Sequence, residues 1–324
     1  MYFALVFVLL FLAELLYFKI ADKYNIIDKP NERSSHTRIT LRGGGIIFYV
    51  GSLVYCFSNG LAYPWFIIGL TLITLISLID DIRPISQKVR LLFHVSGMAF
   101  MFLQWGMLDS QWSWWYIIIA MIFCTGIINA YNFMDGINGI TGGYSLIVLL
   151  ALGYINEYIV SFIDGRFIYV LILAVMVFNF FNFRKKAKCF AGDVGSVSIA
   201  FTIVFLIGQL ILTTQDLSYI ILLVVYGVDS VLTIIHRILL HENIGLPHRK
   251  HLYQIMANEL KIPHIVVSAI YMCVQAIIMI GFVVLHPYGY GYWYLLFTIL
   301  LLSLVYVIFM KKYFHLHLNK TKMK

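Results

Sequence analysis

The stretch INAYNFMDGINGITGG, Ile128–Gly143, holds three Asn, one Asp and four Gly between two long apolar runs. A bilayer tolerates irregular polar backbone only where protein buries it or a wet cavity receives it. The stretch is therefore either a plain Gly/Asn turn or part of a site, and the surroundings decide which. The chain is 61% hydrophobic and only 12% charged, about half the charged fraction of an ordinary soluble domain. Apolar runs of near-spanning length recur from end to end. This is the pattern of an all-α, polytopic membrane protein, and the usual rule of ~150 residues per domain does not apply to it.

Eleven transmembrane helices are expected, near 2–20, 44–62, 64–80, 91–107, 113–129, 141–157, 166–183, 197–213, 217–236, 264–285 and 291–310. They form one integral-membrane domain over 1–324. The first run has no basic region ahead of it and no small-residue cleavage site, so it reads as a helix that stays rather than a removable signal. With the N-terminus outside and the C-terminus cytoplasmic, the inner segments are 19–43, 81–90, 130–140, 184–196, 237–263 and 311–324. These hold all the Lys and Arg except Arg166, as the positive-inside rule demands. The formal net charge of +8 thus follows from topology and the lipid bilayer, and calls for no nucleic acid. Cys56, Cys124, Cys189 and Cys273 lack metal-ligand spacing and read as buried free thiols.

The outer loops carry only the carboxylates Asp109, Glu157, Asp164 and Asp216, read as solvated, with Tyr and Trp as interfacial anchors. The unusual polar motifs all fall on the inner side. LIDDIRP puts Asp80 and Asp81 side by side at a helix end, where like charges repel unless a cation or donors compensate. In Ile128–Gly143, helical spacing brings Asn129, Asn132 and Asp135 toward one face, and the glycines let backbone come close to a ligand. CFAGDVGS sets Asp193 between glycines at a helix start. It serves there either as a cap or as a Mg²⁺ ligand beside substrate phosphate. HENIGLPHRKHLYQ gathers His241, His248 and His251 with Arg249 and Lys250. Arg forks onto phosphate oxygens and His donates, so a diphosphate suits this segment better than zinc. RSSHTRITLRGGG adds His36 and Arg42, read either as a lipid-headgroup loop or as part of the same site. Asp229 is an acid inside a helix, a functional position by default, with Arg237 two turns on as the structural alternative. Acidic pairs and basic His/Arg on one face point to Mg²⁺ with a diphosphate substrate.

In RSSHTR…RGGG, the Asp80–Asp81 pair, NAYNFMDGING, FAGDVGS and PHRKHLYQ, in this order, the chain resembles the polyprenyl-phosphate N-acetylhexosamine-1-phosphate transferases, glycosyltransferase family 4. The resemblance spans roughly residues 31–254. It implies transfer of a sugar-1-phosphate from a UDP-sugar to undecaprenyl phosphate, releasing UMP, with Mg²⁺ as cofactor and Mn²⁺ able to substitute. Carried over motif by motif, Asp80, Asp81, Asp135 and His248 are the catalytic candidates, with Asp80 favoured as the base. Asp193 and Asp135 are the metal ligands. Asn129, Asn132, Asn138, Phe190, Arg249, His251, Arg42 and His36 bind substrate, and Phe190 matches an aromatic that stacks on uracil.

The resemblance also implies a bacterial cytoplasmic membrane with the site on its inner face, and is compatible with a homodimer. PHRKHLYQ is closer to the branch that starts surface polysaccharides (the O-antigen type) than to the peptidoglycan-precursor branch, so the expected donor is UDP-GlcNAc or a deoxy-N-acetylhexosamine relative. Two departures stand out. ITL at 39–41 replaces the Pro-Thr-Pro of many relatives, and NFRKKAKC replaces a Pro-containing turn before FAGD, so Asn182 is given no nucleotide role. The competing readings are the pentapeptide transferase of the same family, a transporter or anion channel, and a scaffold without activity. A transporter would place its polar groups near the midplane, often in repeated halves, which this sequence does not do.

Overall fold

The computed structural model describes residues 1–28, 39–108, 112–246 and 248–322. Eleven helices dominate it: α1 (Tyr2–Lys23), α2 (Ile46–Ser58), α3 (Pro64–Ile82), α4 (Gln87–Gln104), α5 (Trp114–Met134), α6 (Ile140–Tyr158), α7 (Gly165–Asn182), α8 (Gly192–Thr214), α9 (Val224–Leu239), α11 (His264–Leu285) and α12 (Gly291–Lys322). Between α9 and α11 lies the single turn α10 (Leu252–Gln254). Among the described residues, nine helices are long and apolar enough to cross a membrane, with α9 extended backward to Leu217 by a tighter turn. Each of the eleven expected spans coincides with a helix. The two below that measure are α2, apolar but only 13 residues long, and α4, which carries Lys88 and Arg90 in its first turn.

The ends of the elements follow local chemistry. Pro64 opens α3, where its missing N–H is not needed. Ser86 caps α4 by accepting from the Val89 N–H. Two outer carboxylates expected to be merely solvated are engaged. Asp164 caps α7, pairs with Arg166 at 2.6 Å and accepts from the Tyr55 hydroxyl at 2.9 Å. Asp216 accepts from the Ser218 N–H and lies 2.7 Å from His286. Asp109 lies outside the described residues.

Helix α8 is the axis of the bundle, enclosed by α2, α3, α5 and α6. Phe66 of α3 stacks on its Phe201 and Phe205, with ring centroids 5.7 and 4.3 Å apart. Buried aromatic pairs of this kind contribute about 0.5–1.5 kcal/mol beyond their area. A second aromatic layer, Tyr144 on Tyr226 at 3.7 Å, joins α6 to α9. By contrast α1, α5 and α12 expose rows of Leu, Ile and Phe, the surface that a bilayer covers. Cys56, Cys124 and Cys189 are buried free thiols as expected, whereas Cys273 is exposed on α11.

The helices alternate in direction. The ends of α1, α3, α5, α7, α9 and α12 and the starts of α2, α4, α6, α8 and α11 therefore share one end of the bundle. At that end a two-residue ribbon, β1 (Ile27–Asp28) antiparallel to β2 (Thr40–Leu41), carries the chain into the triple glycine. Leu41 also bridges to Cys189, accepting from the Phe190 N–H at 2.8 Å. The ITL segment is thus fixed by pairing on both edges, which replaces the stiffness that two prolines would have supplied. Beyond it the backbones of Gly45 and Gly195 nearly touch, since a Cβ on Gly45 would sit 2.4 Å from the Gly195 Cα. Only glycine at both positions lets α2 start against the first turn of α8.

Candidate active site

At this shared end the last turn of α3 meets the first turn of α8. Asp81 is fully buried there. Its two oxygens accept from the backbone N–H groups of Asp193 (2.9 Å) and Val194 (3.0 Å), and Oδ1 also pairs with Arg42 Nε at 2.7 Å. A carboxylate on the free N–H groups of a helix start is a favourable arrangement. Gly192, at φ +71°, makes it fit, because a Cβ there would lie 2.5 Å from Asp81 Oδ2.

Asp80 and Asp193 are the accessible partners of this arrangement. Asp80 Oδ1 accepts from the Ile85 N–H at 2.6 Å, and Oδ2 pairs with Arg90 at 3.0 Å. Asp193 pairs with Arg42 at 3.2 Å and with Arg90 at 3.4 Å. Two guanidinium groups therefore tie three carboxylates from α3 and α8 together. Asn132 completes the ring, since one orientation of its amide satisfies all its neighbours. It donates to Asp193 Oδ1 (3.3 Å) and Ser196 Oγ (2.9 Å) and accepts from Arg90 (3.0 Å).

The Ile128–Gly143 stretch is half helix and half turn. Helix α5 runs on to Met134, past the expected end at 129, so Asn129 and Asn132 sit on its last turns. Asn129 bonds back to the Thr125 carbonyl at 3.0 Å and is not joined to the ring. Asp135 ends α5 and accepts from the Thr141 hydroxyl at 2.6 Å. Burial pushes its carboxyl up to about 7, the charge of Asp193 adds to this, and the Thr141 bond opposes it. Asn138 ties its loop to the next, donating to the Arg184 carbonyl at 2.9 Å while its N–H points at His264 (3.5 Å). Its buried Oδ1 has no partner among the described residues. Asn182 is a clamp, accepting from the Gly139 N–H (2.7 Å) and donating to the Cys189 carbonyl (2.8 Å). Phe190 is half-buried between these loops and α2, its carbonyl accepting from the Gly44 N–H at 2.9 Å. His36 lies outside the described residues.

The histidine segment docks on the Asp135 loop. The Tyr253 hydroxyl donates to the Phe133 carbonyl at 2.8 Å and lies where a Cβ on Gly136 would have to go. His248 and His251 are neighbours, with ring centroids 5.0 Å apart. The half-buried Arg249 forms no hydrogen bond or ion pair among the described residues, which leaves its fork free for an anion. Arg237 is not the partner of Asp229. It is spent on Glu242 (3.2 Å) and on the carbonyls of Asn243, Ile244 and Leu246, where it folds the loop after α9. Glu242 also pairs with Lys250, and no group of three His, Cys, Asp or Glu among the described residues forms a metal cage.

His248, a catalytic candidate and an expected donor near the diphosphate, lies among positive neighbours. Burial, then the nearby His251, Arg237 and Lys250, push it down to about 3, so it is neutral at ordinary pH, with Nδ1 facing the Lys250 N–H at 3.4 Å. In an unfolded chain a histidine takes up its proton near 6.5. Between pH 6.5 and 3 the unfolded state thus binds the extra proton, and His248 lowers stability as pH falls through that window. The expected result is that His248→Gln flattens acid destabilisation between pH 6.5 and 4, measured as melting temperature against pH. An unchanged slope would mean that His248 is already protonated in the fold.

Arg90, Ser196 and Asn182 were not picked from the sequence. Arg90 had looked like one more inner-face charge, and its distance of ten residues from Asp80 gives no helical signal. The arrangement offers a pair of hard-oxygen carboxylates, and the histidine segment docked on the Asp135 loop adds an arginine with no partner among the described residues, groups suited to phosphate chemistry.

Comparison with known proteins supports this. The model described as "Glycosyl transferase family 4" matches residues 63–211. That range includes Asp80, Asp81, Asn132, Asp135 and Asp193, and excludes Arg42 and the histidine segment. The chain is 28% identical over 260 residues to the "Probable undecaprenyl-phosphate N-acetylglucosaminyl 1-phosphate transferase" of Bacillus subtilis (strain 168), covering 72% of this chain and 70% of the other. It is 27% identical over 245 residues to the undecaprenyl-phosphate alpha-N-acetylglucosaminyl 1-phosphate transferase of Escherichia coli K12, covering 66% of this chain and 63% of the other. The protein of that name from Salmonella typhi is 25% identical over 229 residues, or 59% of its length. The chain thus spans less than two thirds of the two enterobacterial relatives.

Proposed function

We propose that the chain, which the model of glycosyl transferase family 4 matches over residues 63–211 and which is 28% identical to a relative covered over 70% of its length, works as a member of that family and transfers N-acetylhexosamine-1-phosphate from a UDP-sugar to undecaprenyl phosphate. An oxygen of the lipid phosphate attacks the sugar-bearing phosphorus of the donor. The bond from that phosphorus to the bridging oxygen breaks, and UMP leaves with the electron pair. The proposed donor is UDP-GlcNAc or a deoxy relative, and the product starts a lipid-linked surface glycan. The site is proposed to face the cytoplasm across a bacterial inner membrane. The observation that carries the reading is the meeting of Asp80 and Asp193 with Arg42 and Arg90 at one end of the bundle.

Phosphoryl transfer asks mainly for positioning and charge neutralisation. Asp80 is the carboxylate most available to take the proton of the lipid phosphate, since Asp81 is enclosed and spent on α8. Arg249 supplies a fork for a phosphate. The donor set fits Mg²⁺, which takes one or two carboxylates and fills its remaining positions with water and phosphate oxygens. Asp193 and Asp80 would hold it with Asp135 behind them, and a metal arriving with the diphosphate needs no preformed cage. When bound, Mg²⁺ would neutralise charge on the diphosphate.

The test is UMP release by purified protein given undecaprenyl phosphate and a panel of UDP-sugars, with mass spectrometry of the lipid product. UMP with a HexNAc-diphosphate lipid is expected. EDTA should abolish it and excess Mg²⁺ restore it, while activity insensitive to EDTA would remove the metal. Product from only the UDP-MurNAc-pentapeptide donor would move the chain to the peptidoglycan branch. No UMP from any donor would return it to the transporter reading.

A further inference from the structure

Asp229 lies inside α9, buried, and belongs to none of the interactions above. Three donors converge on it, the Tyr271 hydroxyl at 2.6 Å, the Leu252 N–H at 3.0 Å and the Thr233 hydroxyl at 3.2 Å, and His251 Nδ1 faces it at 3.4 Å. An ionised carboxylate only accepts, so a ring nitrogen aimed at it is the one carrying hydrogen. The other nitrogen, His251 Nε2, is buried and has no partner among the described residues, in a side chain only 2% exposed. The ring is fixed from several sides. Gln254 Oε1 accepts from the His251 backbone N–H at 3.3 Å, and around the ring those of Tyr253, His248 and Phe133 lie 5.8, 5.0 and 6.3 Å away. Phe133 and Tyr253 are the residues that join this segment to the Asp135 loop.

A buried polar atom without a partner costs about 1–3 kcal/mol. It persists most readily where a ligand completes it. Which nitrogen of a histidine is free is set by the bond that the other one makes. We infer that Asp229 is a positioning residue that holds His251 in the Nδ1–H tautomer, so that Nε2 presents a bare lone pair toward the substrate site. Such a nitrogen takes a hydrogen bond or a proton from an O–H group. The class of substrate group that it recognises is therefore a hydroxyl of the donor sugar, rather than an oxygen of the donor's diphosphate, which is a fully ionised diester with only lone pairs to offer. The phosphate charge falls to Arg249 instead. This assignment of the ligand rests on the proposed function, but the tautomer does not.

The experiment uses the full-length protein in nanodiscs with ¹⁵N-labelled histidine. His251→Gln identifies the resonance. The expected spectrum has hydrogen on Nδ1 and a bare Nε2. Hydrogen on Nε2, alone or on both nitrogens, overturns the inference. Asp229→Asn, whose amide can donate to Nδ1, is expected to move the hydrogen to Nε2 and to lower UMP release at least ten-fold. In a His251→Gln background the same change should cost less than about two-fold, because Asp229 then has nothing to orient. An equal loss in both backgrounds makes Asp229 merely structural. Should Asp229→Asn fail to fold, the wild-type spectrum decides alone, and Tyr271→Phe, which removes a donor to Asp229 without touching His251, should leave it unchanged. If the wild-type protein turns over no UDP-sugar, the proposed function fails while the spectrum still tests the tautomer.

Discussion

Asp193→Asn is expected to lower UMP release by 10²-fold or more, with the protein still folded. The change keeps the shape of the side chain and removes one negative charge. That charge is shared between Arg42 and Arg90 at 3.2 and 3.4 Å, and its loss leaves two guanidinium groups with only Asp80 and Asp81 to answer them. The α8 start is preserved, because the N–H of residue 193 still reaches Asp81. Stability should therefore move little while chemistry suffers. Removing one charge-stabilising group commonly costs 10²–10³ in rate, and a hundred-fold loss is about 2.7 kcal/mol of barrier. Turnover at saturating substrates, with a melting curve on the same sample, checks both halves. Full turnover in this variant would remove Asp193 from the site and favour a scaffold if cells also tolerate it.

The spans were legible because composition alone marks them. Helix ends were less so. Helix α5 was expected to end at 129 but runs to Met134 and takes in Asn132, and α8 was expected from 197 but begins at Gly192. In an apolar chain the turn signals of a loop and the polar last turn of a helix use the same residues. The site was legible where one motif carries it, as with Asp80, Asp81 and Asp193. It was not where two distant segments make it. Arg90 has meaning only because α4 turns back on α3, and the partner of Asp229 proved to be His251, 22 residues on, rather than Arg237 on the same helix. Arg237 faces the loop that follows α9 instead, a matter of how that loop folds back, which no helical spacing reports. The ITL departure looked like lost rigidity. Backbone pairing with Ile27–Asp28 and Cys189 is invisible in side-chain identity and supplies it.

The adjacent carboxylates should separate cleanly under mutation. Asp81→Ala is expected to unfold or strongly destabilise the protein, and Asp80→Asn to leave it folded and inactive. Asp81 holds two helix N–H groups and Arg42 Nε from a fully buried position. Its removal orphans all three donors and unpins α8 from α3. Breaking a buried ion pair by removing one partner costs about 3–5 kcal/mol, a large share of the ~5–15 kcal/mol that holds a typical protein together. A fall in melting temperature on the order of 10 °C is the measurement. Asp80 is different. Asparagine at 80 still accepts from the Ile85 N–H, so the turn after α3 survives, and only the partly accessible pair with Arg90 is weakened. That pair is half-buried rather than enclosed as Asp81 is, so weakening it costs less than orphaning the three donors of Asp81. A proton acceptor is lost outright, however, and turnover should drop 10²-fold or more. The reverse pattern, a stable but inactive Asp81→Ala and an active Asp80→Asn, would exchange the roles of the two residues. It would also require Arg42 to release Asp81 before substrate arrives.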